Sequence, residues 1–517
     1  MPQLRNLSVE NNEVAPPNMK VYNKGTMALI SRLAGEGIGP FKSFDFDFSD
    51  EAGKPHPGPH VFAGVNGSGK STILRILAWM FEWPGSGDGF QWEEWRHLIR
   101  GHERTRAMAV VELSAGKPFV WAKTMDTSDG WEGGLLSWVK RCLAARKPEA
   151  LRGTVEILDQ YPHPREFFVH TTFSGSKAND IWEAPRPLAA FLIIGGPSKM
   201  PLDWSRQALV AGYSPSRALK HLPKVDLQAQ LKSPFENALS FETTVQNEAV
   251  QSWLLGLFSK RAIARERQQS TSKYAAALKK FEQALRLMCG EDIEFNVDIE
   301  PSLQPRLQIH GKKLDFSQIP DGVRNIVGWL ADYLMRMDAH SDGEHLPALL
   351  MLDEIDAHLH PKWQRAVLPS IKTALPEMQV FATTHSPFVV SSCRGARIHV
   401  LELNTDGSAS HRPPENAPIG ESVQATMKDI FGVSSRFDIE TEALLEEWNR
   451  LRRNQVKGTL SSKENARMTE LTKDLSLRSE ELRQIVAPSV QISKSVISAL
   501  ESQSESTRRG IRTKARK

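Results

Sequence analysis

A glycine-rich stretch, VNGSGKST, places a lysine and a hydroxyl group just after closely spaced glycines. Residues 64–71 match the pattern G-x-x-x-x-G-K-[ST] in full. Glycines allow a loop to turn its backbone N–H groups towards phosphate oxygens, beside a helix N-terminus that favours anions. In this pattern Lys70 contacts the β- and γ-phosphates and the Ser71 hydroxyl binds Mg²⁺. The stretch therefore predicts a nucleoside triphosphate site formed by Gly64, Asn66, Gly67, Ser68, Gly69, Lys70, Ser71 and Thr72.

Two adjacent carboxylates, Asp353 and Glu354, follow the apolar run ALLML. Such runs form strands that are buried on both faces, where an uncompensated carboxylate is costly. One interpretation is that the acids cap the helix that follows. In a P-loop protein, however, an acid at this place holds Mg²⁺ and a second acid orients the attacking water. The P-loop therefore favours Asp353 as a metal-binding residue, together with Ser71, and Glu354 as a catalytic residue.

The sequence around the P-loop predicts the elements that position it. Residues 61–63 are apolar and suit the end of a strand, and residues 72–77 have the apolar spacing of a helix. These flanks argue against a glycine-rich turn without a ligand. Farther along, residues 378–382 predict a strand that ends in Thr-Thr-His-Ser, and residues 439–484 predict helices. The expected fold class is α/β: a mixed sheet flanked by helices, with a large, mostly helical insertion and a helical C-terminal extension.

A second pair of acids lies before the P-loop. Phe44, Phe46 and Phe48 alternate with Asp45 and Asp47. This alternation predicts a half-exposed strand, and a metal-binding Asp-x-Asp pair is the alternative.

The composition limits the class of protein. The chain has 517 residues, 40% hydrophobic and 24% charged, which is typical of a globular protein with two or three domains. No apolar run approaches the roughly 20 residues of a membrane span, and the first residues lack the apolar core of a signal peptide. Three widely separated cysteines form no disulfide framework, so we expect a cytoplasmic protein. A net charge of +4 does not by itself indicate nucleic-acid binding.

The order of these motifs resembles that of ABC-type ATPases of the SMC and RecF kind, a branch of the AAA family. Residues 319–324, IPDGVR, stand where the signature loop of that family stands, and residues 356–361 resemble its D-loop. The resemblance implies that Asp321, Gly322 and Arg324 contact the ATP of a second subunit, and that His385 is the catalytic switch histidine. It also implies ATP and Mg²⁺ as cofactors and a homodimer or higher homo-oligomer formed through the ATPase heads.

Some positions depart from the family pattern or leave alternatives open. Pro320 stands where the family usually has a serine, which puts fast hydrolysis in doubt. Gln160 is a candidate for the Q-loop glutamine because it follows an apolar run. His358 and His360 suggest zinc as an alternative, but no further ligand cluster lies near them in the sequence.

Within this family the chain resembles the compact ATPases of bacterial antiphage systems, such as the Septu and retron-associated ATPases. The resemblance rests on the stretch LVAGYSPSRAL at residues 209–219, the helix at residues 253–255 and the stretch FGVSSRFDIETEALL. It implies a sensor or scaffold that regulates a separate nuclease of the HNH type. A RecF-like repair ATPase that binds DNA is the alternative, and nucleic acid remains a possible partner. The long insertion between the P-loop and the acid pair disfavours a transporter subunit.

These patterns predict five regions along the chain. They are a flexible arm at 1–25, an N-terminal ATPase lobe at 26–130, a largely helical insertion at 131–300, a C-terminal ATPase lobe at 301–435, and a helical extension with a basic tail at 436–517.

Overall fold

We describe the fold from a computed structural model of the chain. The structure describes residues 30–81, 105–111, 119–124, 135, 137–139, 141–142, 169–172, 187–194, 208–290, 292–300, 302–341, 348–376 and 378–487. The predicted arm at 1–25, Gln160 and the basic tail at 508–517 lie outside the described residues.

Most of the described strands join one mixed sheet. The strands are β1 (Ile30–Ile38), β2 (Phe41–Asp47), β3 (His60–Gly64), β4 (Arg106–Val111), β5 (Phe119–Thr124), β6 (Val169–Thr172), β7 (Pro187–Ile194), β8 (Leu209–Tyr213), β9 (Ile293–Asp298), β10 (Gln304–Ile309), β11 (Lys312–Leu314), β12 (Ala348–Leu352), β13 (Met378–Thr384), β14 (Arg397–Leu403), β15 (Ala409–His411) and β16 (Glu415–Asn416). The order across the large sheet is β6-β7-β5-β4-β1-β2-β15-β14-β3-β13-β12-β8, with β16 beside β14. Strands β9, β10 and β11 form a separate antiparallel sheet.

Helices cover the sheet and form the C-terminal region. They are α1 (Lys70–Phe81), α2 (Asn247–Glu266), α3 (Ser272–Cys289), α4 (Asp321–Ser341), α5 (Pro361–Ala374), α6 (Pro387–Val390), α7 (Val423–Phe431), α8 (Ile439–Val456), α9 (Ser462–Arg478) and α10 (Glu480–Val486). None of the helices in the described ranges is both long enough and apolar enough to cross a membrane.

The centre of the large sheet positions the predicted nucleotide residues. Strands β14, β3, β13, β12 and β8 are neighbours in that order and all run parallel. The carboxyl ends of parallel strands meet at one edge of a sheet, which is where open α/β sheets bind ligands. The P-loop after β3, the acid pair after β12 and the Thr-Thr-His-Ser segment at the end of β13 therefore share that edge.

The apolar run before the acid pair is buried on both faces of the sheet. Leu350 and Leu352 of β12 belong to the hydrophobic cluster that also contains residues of α2, α3 and α4. Leu349 and Met351 belong to the cluster that contains the buried residues of α1. Because alternate side chains of a strand point to opposite faces, both sets must be apolar. This accounts for the unbroken run ALLML.

The segment predicted as a largely helical insertion contributes both helices and strands. Its described part contains α2 and α3, and also β6, β7 and β8. Strands β6 and β7 extend one end of the large sheet, and β8 forms the other end beside β12. The predicted α/β class is confirmed, with a mixed sheet flanked by helices. The boundaries of the five predicted regions stay a prediction.

Strand β2 alternates as its sequence predicts, with Phe44, Phe46 and Phe48 buried in the core. The Asp45 carboxylate forms an ion pair with the buried Arg32 guanidinium at 2.7 Å. Asp47 accepts a hydrogen bond from the Ser49 backbone N–H at 2.9 Å. Both acids therefore have structural contacts that explain their positions without a metal.

The chain divides into two compact units, Met1–Gly432 and Val433–Lys517. In the second unit, the described residues form α8, α9 and α10 around a small hydrophobic core. Helix α9 begins with a capping box, in which Ser461 and Glu464 each accept a backbone N–H of the other. The core of this unit contains Leu445, Trp448, Leu451, Met468, Leu471, Leu475, Leu482 and Val486.

Candidate functional site: a nucleotide site at the carboxyl edge of the sheet

The P-loop turn requires glycine at positions where any side chain would collide with its surroundings. Gly69 has a φ of +90°, and a Cβ atom there would lie 2.5 Å from the Phe41 ring. A Cβ on Gly64 would lie 2.2 Å from the Leu401 carbonyl oxygen of β14. Contacts that short do not occur between non-bonded carbon and oxygen atoms, so both positions need glycine. The loop is thus fixed between β14 and the ring that precedes it in β2.

Lys70, the first residue of α1, turns its side chain back over the loop. Its Nζ donates hydrogen bonds to the carbonyl oxygens of Gly64 at 3.0 Å and Val65 at 2.9 Å. Burial lowers the pKa of the Lys70 ammonium from its usual value, and the nearby Asp353 and Glu354 carboxylates oppose that shift. The ammonium is therefore a buried cation beside the acid pair.

Ser68 leaves a polar atom without a partner inside the P-loop. Its side chain is fully buried, and its Oγ has no hydrogen-bond partner among the described residues. An unpaired buried hydroxyl costs free energy unless something satisfies it. Asn66, by contrast, is exposed, and Gly67 has a φ of +80°. A ligand that brings hydrogen-bond acceptors into the loop would satisfy the Ser68 hydroxyl.

The second residue of α1 contacts the first acid after β12. The Ser71 hydroxyl donates a hydrogen bond to Asp353 Oδ1 at 2.9 Å. Thr383, near the end of β13, donates its hydroxyl to the same oxygen at 2.5 Å. Asp353 is 5% exposed. A hydroxyl and a carboxylate oxygen thus lie together, and both are oxygen ligands of the type that Mg²⁺ binds.

The backbone of Glu354 adopts an unusual conformation. Its φ is +44°, in the left-handed region that residues other than glycine seldom occupy. The Glu354 N–H donates to Thr383 Oγ1 at 2.7 Å. The Arg217 guanidinium donates to the Asp353 carbonyl, and to the Glu354 carbonyl at 2.9 Å. Strained backbone of this kind persists where surrounding groups hold it, and it is common at functional sites.

His385 lies close enough to the acids and to Lys70 for their charges to affect it. Burial lowers the pKa of its imidazole, and the Lys70 ammonium lowers it further, while Asp356 and the acid pair act in the opposite direction. Its backbone N–H donates to Asp356 Oδ1 at 3.3 Å, and the Thr384 hydroxyl donates to the same oxygen. The end of β13 is therefore tied to the turn that follows Glu354.

The predicted signature residues lie at the start of α4. Asp321 is the first residue of that helix and pairs with Arg324, and Pro320 precedes it and accepts the Arg324 N–H at 3.0 Å. A Cβ on Gly322 would lie 2.6 Å from the His358 carbonyl oxygen, so the helix start packs closely on the turn after Glu354. Within the described ranges, no hydrogen bond or ion pair joins Asp321 or Arg324 to the P-loop of the same chain.

The zinc alternative for His358 and His360 has no support in the described residues. They contain no group of three or more His, Cys, Asp or Glu side chains that could hold a metal ion. His360 instead caps α5, where its imidazole accepts the Lys362 N–H at 3.3 Å. His358 is exposed and has a φ of +62°, in the left-handed region.

The structure thus brings together the P-loop, Asp353, Glu354 and His385, and packs the start of α4 against the turn that follows Glu354. Sequence reasoning missed Thr383 and Arg217 as parts of this site. Thr383 lies in the Thr-Thr-His-Ser segment that ends β13, and Arg217 lies in the stretch LVAGYSPSRAL, but neither belongs to a motif that assigns it a role. Their only sequence signal was proximity to other motifs.

Comparisons with known proteins match both halves of this site. A family model described as "AAA domain" matches residues 32–129. A second, described as "AAA domain, putative AbiEii toxin, Type IV TA system", matches residues 299–391. The first match contains the P-loop, and the second contains the acid pair and His385.

Curated relatives match shorter segments. The Septu protein PtuA of Bacillus thuringiensis is 30% identical over 119 residues, which is 22% of this chain and 30% of that protein. The Retron Vc95 probable ATPase of Vibrio cholerae is 21% identical over 148 residues, 28% of this chain and 29% of that protein. The Retron Ec83 probable ATPase of Escherichia coli is 30% identical over 93 residues, 17% of each chain. The matches thus span less than a third of each of these relatives.

Among solved structures, an SMC head bound to the C-winged helix domain of ScpA covers 75% of this chain and 98% of its own, with 12% identity and a TM-score of 0.40. The SMC head domain from Thermotoga maritima covers 75% of this chain and 99% of its own, with 13% identity and a TM-score of 0.37. Two segments of the chain therefore match AAA-domain models, and parts of the chain are similar to the Septu and retron ATPases.

Proposed function

We propose that this chain binds and hydrolyses ATP with Mg²⁺, as the ATPase subunit of an antiphage defence system that regulates a separate nuclease. The observation that carries the proposal is the hydrogen bond from Ser71 to Asp353 beside the P-loop. It joins the hydroxyl and the carboxylate that would hold Mg²⁺, although they come from separate parts of the chain.

The P-loop fits the phosphates of a nucleotide. The unpartnered Ser68 hydroxyl and the backbone N–H groups at the start of α1 supply donors for phosphate oxygens. Lys70 would exchange its two carbonyl acceptors for the β- and γ-phosphate oxygens. The predicted binding loop is completed by Gly64, Asn66, Gly67, Gly69 and Thr72.

The groups for hydrolysis are arranged around the acid pair. When bound by Ser71 and Asp353, Mg²⁺ would neutralise charge on the phosphates. Glu354 would orient and polarise the attacking water. Burial and the Lys70 ammonium lower the pKa of His385, and its imidazole would serve as a hydrogen-bonding partner of the γ-phosphate region.

The start of α4 supports ATP binding between two copies of the chain. Asp321, Gly322 and Arg324 would contact the ATP held by the other copy, as the family resemblance implies. Pro320 has no hydroxyl to offer the γ-phosphate, so we expect slow turnover. A homodimer formed on ATP is the simplest assembly that completes the site.

The proposed partner is an HNH-type nuclease in the cytoplasm, and the resemblance to Septu and retron ATPases supports it. The chain alone should have no nuclease activity, because the acid pair that we assign to a metal site, Asp353 and Glu354, acts on ATP. The test is incubation of the purified chain with plasmid, single-stranded DNA and tRNA in Mg²⁺ or Mn²⁺. Cleavage that survives Glu354→Gln would reveal a second active site and refute this assignment.

ATP binding is the first experiment. Titration calorimetry of the wild-type chain with ATP and Mg²⁺, followed by phosphate release, should show binding and slow hydrolysis. Co-purification from the native operon, with mass spectrometry of the associated proteins, then tests the partner. Absence of ATP binding would overturn the proposed function, and absence of a nuclease would overturn only its regulatory part.

A DNA-binding ATPase of the RecF kind is the second candidate function, and the tip of the α2–α3 hairpin favours it. Two arginines, Arg265 and Arg267, are exposed there beside Glu266, and two lysines, Lys260 and Lys279, are exposed farther along α2 and α3. None of the four pairs with a carboxylate among the described residues. Cations of this kind bind phosphate backbones with strong salt dependence. Reversal of the four charges should abolish salt-dependent DNA binding in a fluorescence anisotropy titration, and unchanged binding would exclude this surface.

A further inference from the structure

A fully buried arginine lies behind the acid pair. Arg217 is 3% exposed and belongs to the segment of residues 214–219, which follows β8. Its guanidinium donates to the backbone carbonyls of Asp353, Glu354 and Ser214, the last two at 2.9 and 3.0 Å. Its Nε has no partner among the described residues. All of the donated hydrogen bonds therefore go to backbone, and two of them go to the turn that carries the predicted water-activating acid.

A charge at this place is costly for the fold. Burial lowers the pKa of Arg217 to about 10, although the Asp353, Asp356 and Glu354 carboxylates oppose that shift. The side chain remains a cation at neutral pH. An apolar side chain of similar volume would avoid the desolvation cost, so packing alone does not account for the arginine.

The Arg217 contacts act on a peptide whose conformation is unfavourable. Glu354 has a φ of +44°, and four groups hold it and its neighbour: the Thr383 hydroxyl, the Thr383 carbonyl, the Ala357 N–H and the Arg217 guanidinium. Thr383 Oγ1 accepts the Glu354 N–H at 2.7 Å, and the Thr383 carbonyl accepts the Ile355 N–H at 2.9 Å. The Glu354 carbonyl accepts two hydrogen bonds, one from the Arg217 guanidinium and one from the Ala357 N–H, both at 2.9 Å. The direction in which the Glu354 carboxylate leaves the backbone is thus set from both sides.

The same segment also contacts the helix of the predicted signature residues. The Leu219 N–H donates to the Arg324 carbonyl at 3.1 Å. A Cβ on Gly328 would lie 1.9 Å from the Arg217 carbonyl oxygen, so α4 packs directly against residues 214–219. Asn325 Nδ2 donates to the Pro215 carbonyl at 3.2 Å and lies 3.4 Å from the Ala357 carbonyl. Residues 214–219 therefore join the acid turn to α4 within one chain.

We propose that Arg217 is a positioning residue for ATP hydrolysis. It holds the Glu354 peptide in the left-handed conformation that directs the carboxylate towards the attacking water, and it keeps that turn in register with α4. The inference rests on the proposed ATPase function. It assigns to Arg217 an effect on the rate of the chemical step and none on the contacts that bind ATP.

The test compares Arg217→Lys and Arg217→Met with the wild-type chain. Lysine keeps the charge but cannot donate to both carbonyls in one geometry, and methionine keeps the volume without the charge. Both variants should lower kcat by about 10²-fold, the usual effect of a misplaced catalytic group, and leave the Kd for ATP unchanged. If Arg217→Met does not fold, Arg217→Lys decides the question.

A double variant separates positioning from a general effect on the fold. In the Glu354→Gln background, Arg217→Lys should lower the residual rate no further, because the group that it positions is already disabled. A merely structural role predicts additive losses. Additive losses would overturn the proposal, as would an unchanged kcat in Arg217→Lys.

Arg336 provides a matched control in the same chain. It is also fully buried, pairs with Asp332 at 2.6 Å and donates to the carbonyls of Pro234, Glu236 and Thr244. Arg336→Lys should lower the melting temperature and leave kcat per folded molecule unchanged. Equal kcat losses in Arg336→Lys and Arg217→Lys would overturn the specific role of Arg217.

Wild-type measurements distinguish this inference from the proposed function. If the wild-type chain neither binds nor hydrolyses ATP, the proposed function fails, and the Arg217 role fails with it. If the wild-type chain turns over ATP and Arg217→Lys matches its kcat, only the Arg217 role fails.

Discussion

The Ser71 hydroxyl and the Asp353 carboxylate are joined by a 2.9 Å hydrogen bond, although 282 residues separate them in the sequence. Neither motif alone specifies this contact. It arises because β3 and β12 each pair with β13 in parallel, which brings their carboxyl ends to one edge of the sheet. The contact brings together the hydroxyl and the carboxylate that are proposed to hold Mg²⁺.

Lys70→Ala should abolish measurable ATP binding. The variant removes the cation for the β- and γ-phosphates, and loss of such a charged hydrogen-bonding partner costs about 2–5 kcal/mol, or at least roughly 30-fold in affinity. Lys70 also donates to two loop carbonyls, so a small decrease in melting temperature should accompany the loss. Calorimetric titration with ATP and Mg²⁺ measures the effect. Lys42→Ala is the control, because Lys42 is an exposed lysine that is paired with Asp406. Normal ATP binding by Lys70→Ala would contradict the P-loop assignment.

Glu354→Gln and Asp353→Asn should separate hydrolysis from metal binding. The amide at position 354 keeps the shape but loses the charge that polarises water, so the rate should fall by about 10²–10⁴-fold with ATP binding retained. Asp353→Asn should instead weaken the Mg²⁺-dependent part of ATP binding. Phosphate release and titrations at varied Mg²⁺ distinguish the two variants. The roles assigned here would be wrong if Glu354→Gln hydrolysed ATP at the wild-type rate.

Thr383→Val should impair the acid turn without touching the P-loop. Its hydroxyl donates to Asp353 and accepts the Glu354 N–H, and valine leaves that N–H unpaired. Loss of a partner for a buried polar group typically lowers the free energy of unfolding by about 1–3 kcal/mol, and kcat should fall with it. Chemical denaturation and phosphate release measure both effects.

Thr383→Ser tests whether the hydroxyl is responsible. It restores the donor and the acceptor, so it should recover most of the activity and stability. Thr469→Val is a control at an exposed helical threonine, where little change is expected. A valine variant that behaves like the wild type, or a serine variant as impaired as the valine variant, would show that the hydroxyl is not responsible.

The stability of the fold should decrease in mild acid because of a buried histidine pair. His60 Nδ1 and His399 Nε2 are 3.1 Å apart, and both side chains are fully buried among phenylalanine rings. Burial lowers the pKa of His399 to about 3, and burial together with the neighbouring His399 lowers the pKa of His60 well below its usual value.

The sign of the effect follows from these directions. Each folded pKa lies below the unfolded value of 6.5, so the unfolded chain binds more protons below that pH. The free energy of unfolding should therefore fall as the pH drops below 6.5, with a slope that approaches about 1.4 kcal/mol per pH unit for each histidine. Denaturation midpoints between pH 4 and 7 measure this slope.

The double variant His60→Phe with His399→Phe tests the origin of that slope. It removes both ionisable groups from an aromatic environment that accepts a ring, so the pH dependence should become flatter. His221→Gln, at an exposed histidine outside this pair, should leave the slope unchanged. A slope as steep in the double variant as in the wild type would place the effect elsewhere.

Local sequence was sufficient to predict the P-loop, the acid pair and the strands and helices around them. Gly69 shows why. Its positive φ and the neighbouring Phe41 ring restrict the position to glycine, so the motif can be recognised from its residue types alone. The half-exposed strand with Asp45 and Asp47 was predicted for the same reason, since alternation is a local pattern. The site roles themselves stay predictions until the variants above are measured.

The contributions of Arg217 and Thr383 could not be predicted in this way. Arg217 lies 136 residues before the carbonyl it binds at Asp353, and its role depends on the register between β8 and β12. Three strands of the insertion, β6, β7 and β8, were missed for a related reason. Strand β8 is a five-residue apolar run, and such a short run does not reveal by itself whether it joins a distant sheet.

The position of β3 in the sheet determines when the nucleotide site can be completed during synthesis. Both neighbours of β3, the strands β13 and β14, come from a much later part of the chain. At the usual rate of about 5–20 residues per second, a ribosome needs roughly 15–60 s to add the ~300 residues between them. Throughout that interval the P-loop strand has neither of its final partners. The nascent chain therefore cannot form the complete ATP site until β14 has emerged. We expect chaperones to bind the growing chain mainly during that interval.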